Sequence, residues 1–124
     1  MIKETILKFT TATGGAATTV GERALLGKLY AIEYQPGDTA TGATLTITCE
    51  NGVYSKPLLA LANAGVANIM LYPRDIVHGV ADGVSLSGTS GGDRCPPLLN
   101  GKPKIVVASG GDAHKGLIII YYEE

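Results

Sequence analysis

Residues 43–49 read Ala43-Thr44-Leu45-Thr46-Ile47-Thr48-Cys49, the cleanest alternation in the chain. Successive side chains of a strand face opposite sides, so a half-buried strand repeats with period two. Ala43, Leu45, Ile47 and Cys49 therefore enter a core, and Thr44, Thr46 and Thr48 form a ladder facing water or a partner. On the amino-terminal side, residues 28–34 alternate too, with Tyr30, Ile32 and Tyr34 on one face and Leu29, Ala31 and Glu33 on the other. Pro36-Gly37-Asp38 then supplies a turn, which predicts a hairpin-like connection into the threonine strand.

Working outward, the pattern predicts further strands over residues 2–9, 66–72, 76–80, 84–87, 102–108 and 116–122. Between them lie Glu50-Asn51-Gly52, Ala64-Gly65, Asp82-Gly83, the loop from Gly88 to Pro97, Asn100-Gly101 and Ser109-Gly110-Gly111-Asp112, all turn chemistry. Residues 104–108 and 117–122 are almost wholly apolar, as strands covered on both faces are, either within the fold or by another subunit. Leu58-Leu59-Ala60-Leu61-Ala62-Asn63-Ala64 fits either a strand or a single helical turn before Gly65. The stretch from Thr10 to Gly21 is low in bulk and charge and reads as a flexible arm or long loop. Ser90-Gly91-Gly92-Asp93 recurs as Ser109-Gly110-Gly111-Asp112, which two loop tips of the same turn chemistry explain better than a true internal repeat does. The expected fold is all-β: an antiparallel β-sandwich, jelly-roll-like or Ig-like, of about seven to eight strands with a flexible N-terminal segment. Residues 1–25 form the arm and first strand with its Gly/Thr-rich loop, and residues 26–124 form the sandwich.

The 124 residues fit one core. Hydrophobic residues make up 45%, charged residues 17%, and the formal net charge is −1, which places the chain among globular proteins. Its ten basic residues are scattered and balanced by eleven acids, so the clustered Lys and Arg that grip nucleic-acid phosphates are missing. No apolar run approaches the ~20 residues of a membrane-spanning helix. Met1-Ile2-Lys3-Glu4-Thr5 lacks the pattern of a secretory leader, so folding in the cytoplasm is expected. In that reducing setting Cys49 and Cys95 are expected to be free thiols.

Catalysis finds little support. Cys95, His78, His114 and the aspartates are the types that a Cys-His-Asp nucleophile uses, but Cys95 precedes Pro96-Pro97, which withholds the backbone donors of an oxyanion hole. No Cys-x-x-Cys or His-x-x-x-His spacing offers a zinc site. Asp38, Asp75, Asp82, Asp93 and Asp112 do not form the dense loop that calcium takes. Gly110-Gly111-Asp112-Ala113-His114-Lys115-Gly116 lacks P-loop spacing and reads as a mobile hairpin tip between the last two strands. No catalytic, cofactor or metal-binding residue is assigned. Tyr72-Pro73-Arg74-Asp75 is more informative. Proline fixes a bend, and Arg74 presents a planar fork that pairs with an acid such as Asp75 or Asp93, or anchors a subunit interface. Tyr72, Arg74, Asp75 and Arg94 are the candidate interface residues.

In the C-terminal part the chain resembles small virion structural proteins of tailed bacteriophages. The resemblance rests on an ordered series: Leu71-Tyr72-Pro73-Arg74-Asp75-Ile76-Val77-His78, then Gly88-Thr89-Ser90-Gly91-Gly92-Asp93-Arg94, then Leu98-Leu99-Asn100-Gly101-Lys102-Pro103-Lys104-Ile105-Val106-Val107-Ala108. Gly110-Gly111-Asp112-Ala113-His114-Lys115-Gly116 and a terminal apolar strand complete it. It covers residues 26–124 and implies a β-sandwich that coats or cements a capsid or sits in a connector. The expected function is that of a capsid decoration or cement protein binding the major capsid protein, present in the virion after folding in the host cytoplasm. It is expected to self-associate, most simply as a trimer on a local three-fold axis, with no cofactor and no direct contact to nucleic acid or membrane. The alternatives are a head-tail connector, neck or tail component, and a carbohydrate-binding module that uses Tyr30, Tyr34, Tyr54 or Tyr72 as sugar platforms.

Overall fold

The computed structural model describes residues 1–76 and 94–124, and their regular secondary structure is entirely strand. The strands are β1 (Ile2–Thr10), β2 (Ala17–Val20), β3 (Leu25–Gln35), β4 (Thr44–Glu50), β5 (Ser55–Leu61), β6 (Ile69–Leu71), β7 (Asp75–Ile76), β8 (Arg94–Cys95), β9 (Leu98–Ala108) and β10 (Lys115–Glu123). The strand expected over 84–87, residues 77–80 of its predecessor, His78, Asp82, Asp93 and the first Ser-Gly-Gly-Asp lie outside the described residues.

Every pairing among the described residues is antiparallel. One layer has the order β1-β10-β3-β6 and the other β2-β9-β4-β5, and β3 pairs with β9 to join them into one sheet folded over a single core. Leu7 and Phe9 of β1, Leu29, Ile32 and Tyr34 of β3, Leu45, Ile47 and Cys49 of β4, Ile105 and Val107 of β9, and Ile118 and Ile120 of β10 all meet there. This is the expected all-β antiparallel sandwich. Because β3 lies in one layer and β4 in the other, residues 36–43 cross between layers instead of closing a hairpin. Residues 58–61, left open between strand and helical turn, belong to β5.

The threonine strand behaves as its sequence predicts. Leu45, Ile47 and Cys49 are buried, while Thr44 and Thr46 are exposed. In β3 the expected faces are wrong. The β10 register places Tyr121 opposite Ala31 but Tyr122 opposite Leu29, so Tyr30 is an extra, bulged residue. A bulge of one residue reverses the phase of alternation. Leu29 therefore shares the core with Ile32 and Tyr34, and Tyr30 turns out to solvent.

Two glycines form the corners where strands leave one layer for the other. Gly27 (φ 142°) and Gly101 (φ 145°) lie within the β3–β9 pairing, where Leu25 faces Gly101 and Gly27 faces Leu99. A Cβ on Gly27 would overlap the Glu123 carbonyl, and one on Gly101 the Glu50 carbonyl. Such close backbone approach at a bent strand admits only glycine. Pro103 sits inside β9 although proline cannot donate to a ladder. Its carbonyl accepts from Gly21 N–H at 2.8 Å, just past the end of β2, so its missing donor faces the place where the β2 ladder has stopped.

The stretch expected as a loose N-terminal loop is built into the fold. Ala17–Val20 pairs with Val107–Lys104 as β2. The 11–16 turn is tied to the 109–114 segment: Gly110 N–H donates to the Gly15 carbonyl (2.9 Å), Thr11 Oγ1 to the Gly111 carbonyl (2.6 Å), and Thr11 N–H to the His114 carbonyl (2.8 Å). The 109–114 segment is thus a crossover from β9 in one layer to β10 in the other, pinned at both sides. The mobile hairpin tip expected there is not formed.

Candidate interaction surface

The bulge that reverses β3 also creates the most distinctive surface feature. Tyr30 turns outward beside Tyr72, their rings edge to face with centroids 6.3 Å apart and planes at 88°. Arg74 lies with Cζ 5.9 Å from the centre of the Tyr72 ring. Its Nη1 donates to the Pro73 carbonyl (2.6 Å) and the Tyr30 carbonyl (3.1 Å), so the planar guanidinium is held in place. Tyr30 and Tyr72 are each about half exposed, at 47% and 57%. The arrangement fixes two aromatic faces and a cation with little side-chain freedom left to lose on binding.

Of the four residues expected at an interface, Tyr72 and Arg74 lie in this cluster. Asp75 and Arg94 lie on the two strands of the β7–β8 ribbon, in which Asp75 pairs with Cys95 and Ile76 with Arg94. The ribbon's far end is anchored to the sandwich, because Leu29 N–H donates to the Pro97 carbonyl at 2.8 Å. The sequence did not point to Tyr30 as a member of this group, because the bulge that exposes it depends on the register of β10.

A second feature is the outer face of the β1-β10-β3-β6 layer. Cross-strand register lines up Ile6, Ile119, Glu33 and Met70 in one row, and Lys8, Leu117 and Gln35 in the next. Ile6 and Met70 are exposed and Leu117, Ile119 and Tyr121 half-buried, so the apolar β10 run is covered on the inner side only. Glu33 in its midst is satisfied by Tyr121 Oη (3.0 Å) and Gln35 Nε2 (2.7 Å). The hydrogen bond to the Glu33 carboxylate raises the Tyr121 phenol above its ordinary range. At one end of this face lies an open hollow of about 510 Å³, bordered by Lys8, Gln35, Asn68 and Lys115 over Phe9 and Leu117.

The residues weighed for chemistry are dispersed. Cys49 and Cys95 are both free. Cys49 is in the core, and burial raises its thiol pKa. His114 lies against its own crossover, Nδ1 3.2 Å from the Gly110 carbonyl. In the same segment three backbone donors are already engaged within the fold: Gly110 N–H on Gly15, His114 N–H on Thr11 Oγ1 (2.9 Å), and Lys115 N–H on Asp38 Oδ1 (2.6 Å). That last bond holds the Asp38 carboxyl below the usual range. Among the described residues no three His, Cys, Asp or Glu gather as a metal site, and no helix is long and apolar enough to cross a membrane. Of the tyrosines considered as sugar platforms, Tyr34 is wholly buried, and Tyr54 is exposed on the turn before β5. No family model, curated protein or solved structure matches this chain.

Proposed function

We propose that the chain is a structural virion protein of a tailed bacteriophage, a capsid decoration or cement protein that binds the major capsid protein and stabilises the head by bridging coat subunits. The observation that carries this reading is the surface cluster of Tyr30, Tyr72 and Arg74. Tyrosine and arginine dominate the energetics of protein interfaces, and here they are rigidly presented beside an apolar sheet face. The resemblance of residues 26–124 to virion proteins supplies the partner class. A protein that coats a shell works by area and copy number and requires no reactive pocket. The carbohydrate reading draws less support, since the Tyr30 and Tyr72 rings stand perpendicular and make no flat platform.

Particles carrying and lacking the protein test the proposal. Loss of the protein is expected to lower the resistance of the head to heat and low salt, and quantitative gels are expected to give on the order of hundreds of copies per particle. Tyr72→Ala and Arg74→Ala are each expected to weaken particle binding roughly 10-fold or more while the free protein stays folded. Unchanged shell resistance would overturn the decoration role, and a dozen copies or fewer would indicate a connector or neck component instead.

A further inference from the structure

Sheet edges present unpaired backbone groups, and soluble proteins usually blunt them. Among the described residues the edge strands of the eight-stranded sheet are β1, β2, β5 and β6. β6 has three residues and β2 has four. β5 is interrupted by Pro57, which has no donor, and by a register shift against β4. β1 runs nine residues with no proline, glycine or register shift, and it exposes Ile2 and Ile6.

The free side of β1 is identified by two hydrogen bonds. Thr11 N–H points to β10, where it meets the His114 carbonyl, and the Lys8 carbonyl points away from β10, where Thr19 Oγ1 donates to it at 2.9 Å. Backbone groups alternate sides along an antiparallel strand, so Glu4, Ile6 and Lys8 present their N–H and C=O groups outward. A groove of about 430 Å³ runs along that side between Glu4–Lys8 and Thr19–Arg23. It is continued by a hollow of about 670 Å³ that shares Glu4, Thr5 and Arg23.

We infer that β1 is a docking edge for β1 of a second copy of this chain, paired antiparallel about a two-fold axis through Ile6. In that register Ile6 faces Ile6, and Glu4 of each copy faces Lys8 of the other, giving two opposite-charge pairs around an apolar centre. Glu4, Ile6 and Lys8 fall in the hydrogen-bonded positions, and the Lys8 carbonyl keeps a second lone pair beside Thr19. Moving the axis by one residue sets Glu4 against Ile6 or Thr10, and moving it to Glu4 sets like charges together. Charge and apolar pattern therefore select one register, and cross-strand pairs of opposite charge are the stabilising kind. The two β1-β10-β3-β6 layers become one continuous sheet with their apolar outer faces adjoining. A two-fold pair of this sort replaces the three-fold ring expected from shell symmetry, and it does not rest on the virion reading.

Light scattering with size-exclusion chromatography, run over a dilution series of the isolated protein, tests this. The mass is expected to rise with concentration from 12.8 kDa to twice that value. Glu4→Lys alone and Lys8→Glu alone are each expected to weaken pairing roughly 10-fold, and the double exchange to restore it, because it re-creates the same complementarity with the signs reversed. Hydrogen exchange is expected to slow at the Glu4, Ile6 and Lys8 amides as the dimer forms. Circular dichroism of each variant separates lost pairing from lost folding. A monomer at every concentration, a trimer, a double exchange that fails to rescue a folded protein, or a dimer whose Glu4, Ile6 and Lys8 amides exchange freely would each overturn the inference.

Discussion

Tyr34 lies at the centre of the core, yet among the described residues neither its hydroxyl nor that of nearby Thr39 makes a well-formed hydrogen bond. Burial raises the phenol above its ordinary pKa, and Thr39 offsets part of the shift. A buried hydroxyl without a partner has lost its hydration and gained little in return, so removing it while keeping the ring is not destabilising. Tyr34→Phe is therefore expected to leave unfolding free energy within about 1 kcal/mol of the parent, or to raise it. Ile32→Ala, which empties an equally buried site, is expected to cost about 3 kcal/mol. Urea titration of both variants checks the pair, and a loss above about 2 kcal/mol in Tyr34→Phe would mean that the hydroxyl is bonded. Individual burial was legible where the alternation is unbroken, as at Cys49. It was not legible for Leu29 and Tyr30, because the bulge is a property of the strand paired alongside.

At the level of strands, the sandwich owes its shape to two bends. β3 and β9 each begin against one another and then diverge into different layers, and Gly27 and Gly101 are where they turn. Both backbones are in a region that other residues rarely adopt, and both pack against a carbonyl with no room for a Cβ. Gly27→Ala and Gly101→Ala are each expected to destabilise the fold by at least about 2 kcal/mol. Gly42→Ala, at a position with open space around it, serves as the control, with an expected change within about 0.5 kcal/mol. Equal melting temperatures for the three variants would show that the corners tolerate side chains. In the sequence Asn100-Gly101 reads as an ordinary turn and Gly27 interrupts a strand pattern. Their common role emerges only when residues more than 70 apart are paired. The same holds for β2, a run of small and threonine residues with little bulk of its own, whose extended form comes from β9 alongside.

At the scale of the whole molecule, the pairings of the eight-stranded sheet repeat. Exchanging β2, β3, β4 and β5 with β6, β9, β10 and β1 maps β2–β9 onto β6–β3, β3–β10 onto β9–β4, and β4–β5 onto β10–β1, while β3–β9 maps onto itself. Gly27 takes the place of Gly101, and Lys28 opposite Glu123 takes the place of Lys102 opposite Glu50. The sequence hints at this only in Leu25-Leu26-Gly27-Lys28 and Leu99-Asn100-Gly101-Lys102, since a sandwich constrains which positions are apolar far more tightly than which apolar residue fills them. Under the exchange, the Asn51–Tyr54 turn between β4 and β5 corresponds to the break between β10 and β1. There Ile2 already faces Glu123, and Lys3 Nζ lies 3.0 Å from Glu124 Oε1. A four-residue link from Glu124 to Met1, with new termini opened at Gly52-Val53, should thus preserve every strand pairing. Val53 is almost fully exposed and Gly52 has open space around it, and permutation succeeds at exposed turns. The permuted chain is expected to show the parent's circular dichroism and a single cooperative unfolding transition, with stability within about 2 kcal/mol of the parent because the closed loop is short. The same opening made between Gly110 and Gly111 would cut the crossover held by Gly15, Thr11 and Ala40. That permutant is expected to be markedly less stable, and equal stability of the two would show that the Thr11–His114 clasp contributes nothing to holding the layers together.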